Sequence, residues 1–561
     1  MNQTMTRLQT LRESDYTPFI RVLFGLTTPT PVATDDKLST IPHPPWRDAS
    51  LNSSQKAAIR FALAAREVAL IHGPPGTGKT HTLIELILQL LAQGKRLLVC
   101  GPSNIAVDNI VERLAPHKVP MIRLGHPARL LPSVLHHSLD VLTRTSEAAA
   151  IVQDVRKDMD AKQASIRKTR NGRERRALYG ELRELRKEFR ERERACVEGL
   201  VRSSRVVLAT LHGAGGFHLK GQEFDVVLVD EASQALEAQC WVPLLWVKAG
   251  KLVLAGDHLQ LPPTIKSLNM KDKEVKKGNA GKKGGEKVAK DMDGGESDEE
   301  YMAKEVVKGI TLETTLFDRL LALHGPSIKR MLTTQYRMHE KIMTFPSQEL
   351  YESKLVAADA VKTRLLTDLP YEIQDTEDTR EPLVFWDTQG GDFPEKTEDE
   401  EIGKTAGKGM SMGESKSNEL EAALVKVHVG NLVEAGLKPE DIAVVTPYNA
   451  QQLAILSRLL KEAYPGIELG SVDGFQGREK EAVIVSLVRS NADHEVGFLG
   501  EKRRLNVAMT RPKRHLCVIG DSDTVGRGSK FLKRWMDFLE EHADLRYPNV
   551  SDVYVDEQEG G

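Results

Sequence analysis

The chain has 561 residues, 40% of them hydrophobic, and a formal net charge of −2. This length predicts more than one domain, and the near-neutral charge gives no support to a dedicated basic domain for duplex nucleic acid, although a local basic groove is compatible with it. No stretch reaches the roughly 18 to 20 uncharged apolar residues that span a bilayer, so the sequence predicts no membrane partner.

The N-terminal 50 residues begin with a helical pattern and continue as a Pro-rich stretch, which predicts a stalk helix and linker over 1–50. The first 15 residues contain no apolar signal core, which argues against secretion and for a cytoplasmic or nuclear protein. The four cysteines lack CxxC spacing, which indicates buried thiols in a reducing compartment rather than zinc ligands or disulfides.

Helices and apolar strands alternate over 51–265, which predicts an α/β domain with a mostly parallel sheet. Within this domain, a run rich in Arg, Lys and Glu predicts a charged helical arm at about 133–200. The mixture of charges fits a solvated, exposed hairpin, and it also fits an arm that faces nucleic acid. The sequence leaves both interpretations open.

Residues 266–308 are rich in Lys and Gly and then acidic, with almost no large apolar side chain. Such a segment buries too little surface to offset its ordering entropy, so we expect disorder there. The alternating pattern returns over 309–540 and predicts a second α/β domain, with a second disordered insert at about 390–418. Residues 541–561 are expected to form a C-terminal tail.

The stretch "GPPGTGKT" follows the apolar run "VALIH", precedes the helical run "LIELILQLLAQ" and matches the pattern G-x-x-x-x-G-K-[ST]. In such a loop, backbone N–H groups and the helix N-terminus bind phosphates, the lysine reaches the β and γ phosphates, and the hydroxyl binds magnesium. We therefore expect ATP and Mg²⁺ as ligands. The expected phosphate-binding residues are Gly73, Pro74, Pro75, Gly76, Thr77, Gly78, Lys79 and Thr80, of which Thr80 is also a metal ligand.

The stretch "VVLVDEAS" is an apolar strand that ends in two adjacent acids. Beside a phosphate loop, Asp230 is expected to hold the magnesium. Glu231 is then the candidate that orients and deprotonates the attacking water. Two acids that end a strand are by themselves often only a solvated turn, and the upstream loop favours the catalytic interpretation.

Further stretches indicate which process ATP hydrolysis drives. They are "LNSSQKAAI", "PSNIAVDNIVERL", "GDHLQLPPT", "TTQYRMHE", "VDGFQGREKEAVI" and "RRLNVAMTRPKR", in this order. Together they resemble the superfamily-one helicases, in particular the immunoglobulin mu-binding-protein helicases, which are sisters of the nonsense-mediated-decay RNA helicase. The resemblance covers almost the whole chain from about residue 15. Nucleotide kinases and transport ATPases share the phosphate loop but lack these stretches.

The resemblance implies two RecA-like P-loop NTPase lobes with parallel sheets, a charged helical arm inserted in the first lobe, and ATP bound between the lobes. It implies that Gln55 hydrogen-bonds the adenine, that Tyr336 stacks on the adenine and that Glu479 meets the ribose.

The resemblance also assigns residues to the transferred phosphoryl group. Gln260 would sense the γ phosphate, and Arg337 and Arg511 would act as arginine fingers. Charge grows on the phosphoryl oxygens during transfer, so donors in fixed positions stabilise the transition state. Pro512 stands where the family usually has Ala, and it removes one backbone N–H from that loop.

For the nucleic acid, the resemblance implies small polar groups that contact the backbone of a single strand without reading its bases. Taken singly, each of these residues is equally suited to a cap or a turn. The matching positions are Ser103, Asn104, Thr210, Thr446, Pro447 and Ser471.

The implied function is that of a monomeric, ATP-dependent 5′-to-3′ translocase and helicase on single-stranded DNA, RNA or both, with ribonucleoproteins or replication factors as partners. One alternative is an ATPase that remodels ribonucleoproteins without processive unwinding. A non-catalytic interaction protein is disfavoured by the intact motif residues. Because only 72 residues precede the phosphate loop, we expect the small β-barrel of the relatives to be missing.

Overall fold

The computed structural model describes residues 2–40, 45–145, 147–246, 250–265, 311–397, 416–448, 451–475 and 477–553. The chain divides into two compact units. The first comprises Met1–Gly73, Lys79–His258 and Pro262–Met331, and the second comprises Pro74–Gly78, Leu259–Leu261 and Leu332–Gly561. The predicted disordered segment 266–308 lies outside the described residues, as do residues 398–415 of the second predicted insert.

Among the described residues of the first unit, seven strands form one parallel sheet in the order β3-β4-β2-β5-β6-β1-β7. The central strands read as continuous apolar runs because helices cover both faces of a parallel sheet. The strands are β1 (Val68–His72), β2 (Leu97–Gly101), β3 (Met121–Leu124), β4 (Val206–Thr210), β5 (Val226–Val229), β6 (Lys251–Gly256) and β7 (Lys329–Met331).

The helices of the first unit pack on this sheet or extend from it. They are α1 (Asn2–Thr10), α2 (Pro18–Leu23), α3 (Asp35–Thr40), α4 (Ser53–Ala64), α5 (Lys79–Ala92), α6 (Asn104–Leu114), α7 (Leu139–Thr145), α8 (Glu147–Lys168), α9 (Gly172–Ser203), α10 (Glu237–Trp246) and α11 (Leu316–His324). Helix α5 follows the phosphate loop directly, and every residue from Thr82 to Leu90 is buried. The apolar run after the loop is therefore a core helix.

The predicted charged arm corresponds to a helical hairpin of α8 and α9, with α7 at its base. Leu182 and Cys196 of α9 are buried, whereas most charged side chains of the hairpin are exposed. An ion pair of 2.5 Å between Lys162 and Glu181 joins the two helices. The arm is thus a solvated hairpin with an apolar seam.

The second unit contains a six-stranded parallel sheet among its described residues, in the order β14-β13-β15-β16-β10-β17. Two short two-stranded sheets pair β8 with β9 and β11 with β12. The strands are β8 (Thr334–Gln335), β9 (Val356–Ala357), β10 (Leu383–Asp387), β11 (Lys396–Thr397), β12 (Lys416–Ser417), β13 (Ile442–Thr446), β14 (Glu468–Ser471), β15 (Lys480–Ser486), β16 (Pro512–Gly520) and β17 (Asp544–Arg546).

The helices of the second unit cover its larger sheet, and their apolar side chains build a core with the strands. They are α12 (Glu340–Leu350), α13 (Glu377–Arg380), α14 (Glu419–Glu434), α15 (Gln451–Leu460), α16 (Lys502–Met509), α17 (Ser522–Gly526) and α18 (Lys530–His542). The predicted α/β class with parallel sheets is confirmed in both units.

The domain boundaries differ from the predicted ones: Pro74–Gly78 and Leu259–Leu261, predicted in the first domain, belong to the second unit, and two longer segments also change place. Residues 311–331 belong to the first unit, because β7 pairs with β1 and because Leu316 and Phe317 pack into the first core. The predicted C-terminal tail contributes β17, which pairs parallel with β10. Sequence periodicity cannot reveal either assignment, since a short edge strand carries little pattern of its own.

No helix in the described part of the chain is both long and apolar enough to cross a membrane. All four cysteines are buried as thiols and none forms a disulfide, as their spacing predicted. Burial raises the pKa of the Cys240 thiol to about 12. These thiols are therefore part of the core packing rather than reactive groups.

Candidate active site

The phosphate loop lies between β1 and α5 and depends on glycine. Gly76 and Gly78 both have a φ of +73°, in the left-handed region that favours glycine. The hydroxyl of Thr77 donates a hydrogen bond of 2.7 Å to the carbonyl oxygen of Pro74, which closes the turn. The loop ends at the N-terminus of α5, where backbone N–H groups have no partner within the helix. This is the geometry of a phosphate-binding site.

Lys79 is the first residue of α5, and its side chain lies against Gly73. A Cβ atom on Gly73 would stand only 2.9 Å from the Cβ and Cγ atoms of Lys79. The Lys79 Nζ donates to Glu231 Oε1 at 2.5 Å and lies 3.2 Å from Asp230 Oδ1. Burial lowers the pKa of Lys79, but the two carboxylates outweigh this and raise the pKa above its ordinary value. The lysine is therefore a fixed cation.

The two acids follow β5, as the sequence predicted. The backbone N–H of Asp230 donates to the carbonyl oxygen of Cys100 at 2.9 Å, which continues the sheet pairing by one residue. Glu231 has a φ of +53°, an uncommon conformation for a residue with a side chain. Such strain is concentrated at functional sites. The left-handed conformation of Glu231 turns the chain away from the sheet directly after Asp230.

The charges of this cluster fit a divalent cation. Lys79 balances only one of the carboxylates of Asp230 and Glu231, so one negative charge is left in a largely buried place. Burial raises the pKa of Asp230 against the opposing effect of Lys79. A bound cation would relieve this cost, and carboxylate and hydroxyl oxygens are ligands that Mg²⁺ accepts. Asp230 and Thr80, the second residue of α5, are the residues that would hold it.

Gln55 lies at the start of α4 and is buried. Its side-chain oxygen accepts a hydrogen bond of 3.0 Å from the N–H of Asn52, and its own N–H donates to Asn52 Oδ1 at 2.9 Å. This reciprocal capping box fixes the side chain. The amide is therefore oriented by its own helix before any adenine is bound.

In the second unit, Arg337 is bound to Glu479. The Arg337 Nε donates to Glu479 Oε2 at 2.7 Å, and its Nη1 donates to the carbonyl oxygen of Thr510 at 3.0 Å. Burial raises the pKa of Glu479, but Arg337 and Lys513 outweigh this and hold the pKa below its usual value. The residue expected at the ribose is thus ion-paired to an expected arginine finger.

Tyr336 and Arg337 both lie against the phosphate loop. The backbone N–H of Tyr336 donates to the carbonyl oxygen of Gly76 at 2.8 Å, and the Tyr336 side chain is 42% exposed. A Cβ atom on Gly76 would stand 2.6 Å from the Arg337 Cβ. Gly76 is therefore required both by its backbone conformation and by this close approach.

Arg511 is buried, and its described hydrogen bonds go to backbone carbonyls and to side-chain oxygens. Its Nε donates to the carbonyl oxygen of Val507 at 2.9 Å, and its Nη1 donates to that of Arg478 at 3.3 Å. Its Nη2 donates to Gln260 Oε1 at 3.1 Å, which brings two of the predicted catalytic residues together. Pro512 is the first residue of β16, a strand position that tolerates proline.

The predicted nucleic-acid residues of the first unit have local structural roles. The Ser103 hydroxyl caps α6 by accepting from the N–H of Ala106 at 3.2 Å. Asn104 Oδ1 accepts from Arg123 Nη2 at 2.9 Å. The Thr210 hydroxyl accepts from the N–H of Gly213 at 3.1 Å. The three residues follow β2 and end β4, which are adjacent strands. They therefore share one edge of the sheet.

The corresponding residues of the second unit divide in accessibility. Ser471 ends β14 and accepts from the N–H of Gly474 at 3.3 Å. Thr446 ends β13 and is fully buried, which differs from the expected contact of its hydroxyl with a bound strand. Its hydroxyl accepts from the N–H of Tyr448 at 3.3 Å and shapes the turn at the half-buried Pro447.

Two further residues at the site escaped the sequence analysis. Gln234 donates to Glu231 Oε2 at 2.7 Å and orients the expected general base. Asn506 donates to the carbonyl oxygen of Leu259 at 2.8 Å and to the Tyr351 hydroxyl at 2.7 Å. Gln234 follows Glu231 by three residues in a tight turn, and this spacing could have indicated from the sequence that the two side chains meet. Asn506 has no such signal, because its partners are distant in the chain.

Two family models match the chain, both described as an AAA domain, over residues 50–268 and 312–523. The DNA polymerase alpha-associated DNA helicase A of Schizosaccharomyces pombe is 51% identical over 493 residues, which cover 88% of this chain and 67% of that protein. The DNA-binding protein SMUBP-2 of Mus musculus is 43% identical over 550 residues, which cover 97% of this chain and 49% of that protein.

A third relative is the regulator of nonsense transcripts 1 homolog of Neurospora crassa, 34% identical over 490 residues, which cover 84% of this chain and 37% of that protein. The chain thus spans about two thirds of the length of the fission-yeast protein and about half of the mouse protein.

Proposed function

The chain belongs to the superfamily-one helicases of the SMUBP-2 and helicase A type, and we propose on this premise that it couples ATP hydrolysis to 5′-to-3′ movement along single-stranded DNA, RNA or both. The observation that carries the proposal is the contact of Lys79 with Asp230 and Glu231 beside a glycine-dependent phosphate loop. This arrangement combines a phosphate-binding cation, an expected metal ligand and a candidate general base.

The first unit supplies the groups that bind ATP and activate water. The N–H groups at the start of α5 and the Lys79 ammonium bind the phosphates, and Lys79 exchanges its carboxylate partners for phosphate oxygens. Thr80 and Asp230 would hold Mg²⁺, which when bound neutralises charge on the β and γ phosphates. Glu231, oriented by Gln234, accepts the proton of the attacking water.

The second unit supplies two guanidinium groups. Arg337 lies against the phosphate loop, and Arg511 is fixed by backbone carbonyls and by Gln260. We propose that both guanidinium groups stabilise the charge that develops on the transferred phosphoryl oxygens. Gln260 is proposed to sense the γ phosphate, and its hydrogen bond with Arg511 supports a link between the two residues.

The nucleic acid is proposed to contact backbone-directed polar groups rather than base-reading ones. Ser103, Asn104 and Thr210 share one sheet edge, and small polar groups there suit phosphate and sugar contacts. The arm offers a second surface, because five exposed cations lie along one face of α9: Arg183, Arg186, Lys187, Arg190 and Arg194. Glu191 lies on the same surface, and the excess of cations over this one acid supports the interpretation of the arm as an element that faces nucleic acid.

The test is an ATPase assay without nucleic acid, with single-stranded DNA and with single-stranded RNA. We expect strand-stimulated hydrolysis that Lys79→Ala abolishes, because the variant loses the phosphate-binding cation. The stimulating polymer identifies the substrate class. Hydrolysis that no polymer stimulates would contradict the proposal.

Direction is tested with short duplexes that carry either a 5′ or a 3′ single-stranded overhang. We expect ATP-dependent strand displacement only from the 5′ overhang. Displacement only from the 3′ overhang would overturn the proposed polarity. Stimulated hydrolysis without displacement from either overhang would contradict translocation and would favour remodelling of ribonucleoproteins.

A further inference from the structure

A buried pair joins the ends of two central strands of the first unit. The His72 Nε2 lies 2.9 Å from Asp257 Oδ1, and the two side chains are 1% and 4% exposed. His72 is the last residue of β1, and Asp257 directly follows β6, the neighbouring strand. A carboxyl group buried to this extent requires hydrogen-bond donors to replace lost hydration. The imidazole N–H of His72 is such a donor.

Through His72, this pair is connected to the phosphate loop. His72 directly precedes Gly73, whose N–H donates to the carbonyl oxygen of Gly256 at 3.0 Å. Gly73 in turn lies against the Lys79 side chain. The position of β6 relative to β1 therefore determines where the first residue of the loop lies, and with it the stem of the lysine.

Through Asp257, the pair is connected to the candidate general base, Glu231. The N–H of Asp257 donates to the Ser233 hydroxyl at 3.2 Å. Ser233 lies in the 3₁₀ turn Ala232–Gln234 that begins at Glu231. A Cβ atom on Gly256 would stand 3.0 Å from both the backbone N and the Oγ of Ser233, so this turn rests directly on the end of β6.

We propose that the His72–Asp257 pair is a positioning element that fixes the Glu231 turn relative to the Lys79 loop. The inference rests on the proposed ATP hydrolysis. Without the imidazole donor, the Asp257 carboxylate turns toward other donors, and its backbone N–H moves away from Ser233. The Glu231 carboxylate is then displaced from the attacking water. A displacement of about 1 Å costs on the order of 10²-fold in rate.

The pair is expected to affect turnover more than ATP binding. The loop N–H groups and Lys79 bind phosphate in either arrangement, whereas proton transfer to Glu231 depends steeply on its distance from the water. Loss of the pair therefore lowers kcat and leaves the KM for ATP nearly unchanged. A purely structural role would instead reduce the folded fraction without changing kcat per folded molecule.

The test compares His72→Leu with His72→Gln in the full chain under saturating single-stranded nucleic acid. Leucine fills the buried volume without a donor, whereas the Gln NH₂ group restores one near the position of Nε2. We expect His72→Leu to lower kcat about 10- to 100-fold with KM for ATP within about three-fold. His72→Gln is expected to stay within about three-fold of wild type in both parameters.

The matched control is His515→Leu, which removes a buried imidazole from the second unit. It is expected to lower the melting temperature and to leave kcat per folded molecule unchanged. A folded His72→Leu protein with wild-type kcat would overturn the proposal. A His72→Gln protein as slow as His72→Leu would also overturn it.

If His72→Leu does not fold, Ser233→Ala tests the same connection with a smaller change. It removes only the acceptor of the Asp257 N–H and is expected to lower kcat about three- to ten-fold at unchanged KM. Wild-type turnover of Ser233→Ala would overturn the proposal. A wild-type chain without ATPase activity would refute the proposed function itself, so the two failures are distinguishable.

Discussion

Lys79 of the first unit and Arg511 of the second unit are held in different ways. In the first unit, Lys79 contacts two carboxylates directly, so its charge is already compensated. In the second unit, Arg511 donates to two backbone carbonyls and to Gln260, which are neutral. These described acceptors fix the guanidinium in place for an anion that develops in the transition state. An ammonium bound to carboxylates instead exchanges them for the phosphates of the ground state.

This difference predicts different kinetic consequences for the two units. Substitutions in the carboxylate cluster are expected to separate ATP binding from hydrolysis, because Lys79 binds and Glu231 reacts. Substitutions of the arginines are expected to reduce turnover with little effect on binding, since their charge matters mainly when the phosphoryl group is transferred.

The largest effect is expected for Glu231→Gln. A Gln cannot accept the proton of the attacking water, so kcat is expected to fall about 10²- to 10⁴-fold while ATP binding stays within a few-fold. Steady-state ATPase kinetics and equilibrium binding of a fluorescent ATP analogue measure the two quantities. Glu462→Gln, at an exposed position, is the control. Equal turnover of Glu231→Gln and wild type would remove Glu231 from its assigned role.

A smaller loss of turnover is expected for Arg511→Lys. Lysine keeps the charge but cannot donate to three acceptors with a planar fork, so we expect about a 10²-fold drop in kcat with a small change in KM. The control is Arg514→Lys, because Arg514 donates to Glu481 and to the Leu365 carbonyl oxygen instead. Equal losses in both variants would indicate that an arginine in this part of the chain acts through the fold.

Glu421 of the second unit can be compared with Asp230 of the first, because this buried carboxyl is held by neutral donors. The Ser486 hydroxyl donates to Oε1 at 2.7 Å, and the N–H of Val488 donates to both carboxyl oxygens. Burial raises the pKa of Glu421 from 4.5 to about 7, against the lowering effect of these donors. Unlike Asp230, this carboxyl has no lysine beside it in the described structure.

The pH dependence follows from that shift. Because the folded pKa lies above the unfolded one, the stabilising contribution is complete below about pH 4.5 and is lost as the pH rises to about 7. The loss amounts to roughly 3 kcal/mol. Glu421→Gln cannot ionise, so its free energy of unfolding relative to wild type is expected to rise by about this amount between pH 4.5 and 7.5. Urea unfolding at the two pH values measures it, and a pH-independent difference would contradict the prediction.

The smallest effect is expected for deletion of residues 268–305, which lie outside the described ranges. The sequence there contains almost no core-forming side chain, and long insertions cost little closure entropy. We expect strand-stimulated ATPase activity to change less than about three-fold, in contrast to the losses at either charged cluster. A collapse of activity in a folded deletion variant would show that the segment contributes to coupling.

Much of the fold class and of the phosphate site was predictable from the sequence. The apolar run of β1, the glycine-rich loop and the run of α5 are contiguous, so the order of residues also fixes their order in space. Asp230 and Glu231 follow another apolar strand, and the carboxyl ends of parallel strands lie at one edge of a sheet. Their contact with Lys79 could therefore be expected from pattern alone.

The local geometry of the nucleic-acid residues was less predictable. Ser103 and Thr210 fill capping and turn positions that hydroxyl side chains also occupy in the absence of any ligand. Thr446 is buried because β13 is an inner strand of the second sheet. The Thr446 hydroxyl accepts a hydrogen bond from the nearby N–H of Tyr448. A motif match gives the identity of a residue but not the exposure of its side chain.

By itself, the sequence determined the features that depend on neighbouring residues: the strand–loop–helix of the phosphate site, the parallel α/β class and the charged hairpin. The tertiary structure decided the partners that lie far apart in the chain. It paired β7 with β1, β17 with β10, His72 with Asp257 and Arg337 with Glu479. The physical reason is that backbone sterics and side-chain periodicity act over a few residues, whereas these pairings exist only once the sheets bring distant segments within hydrogen-bond distance.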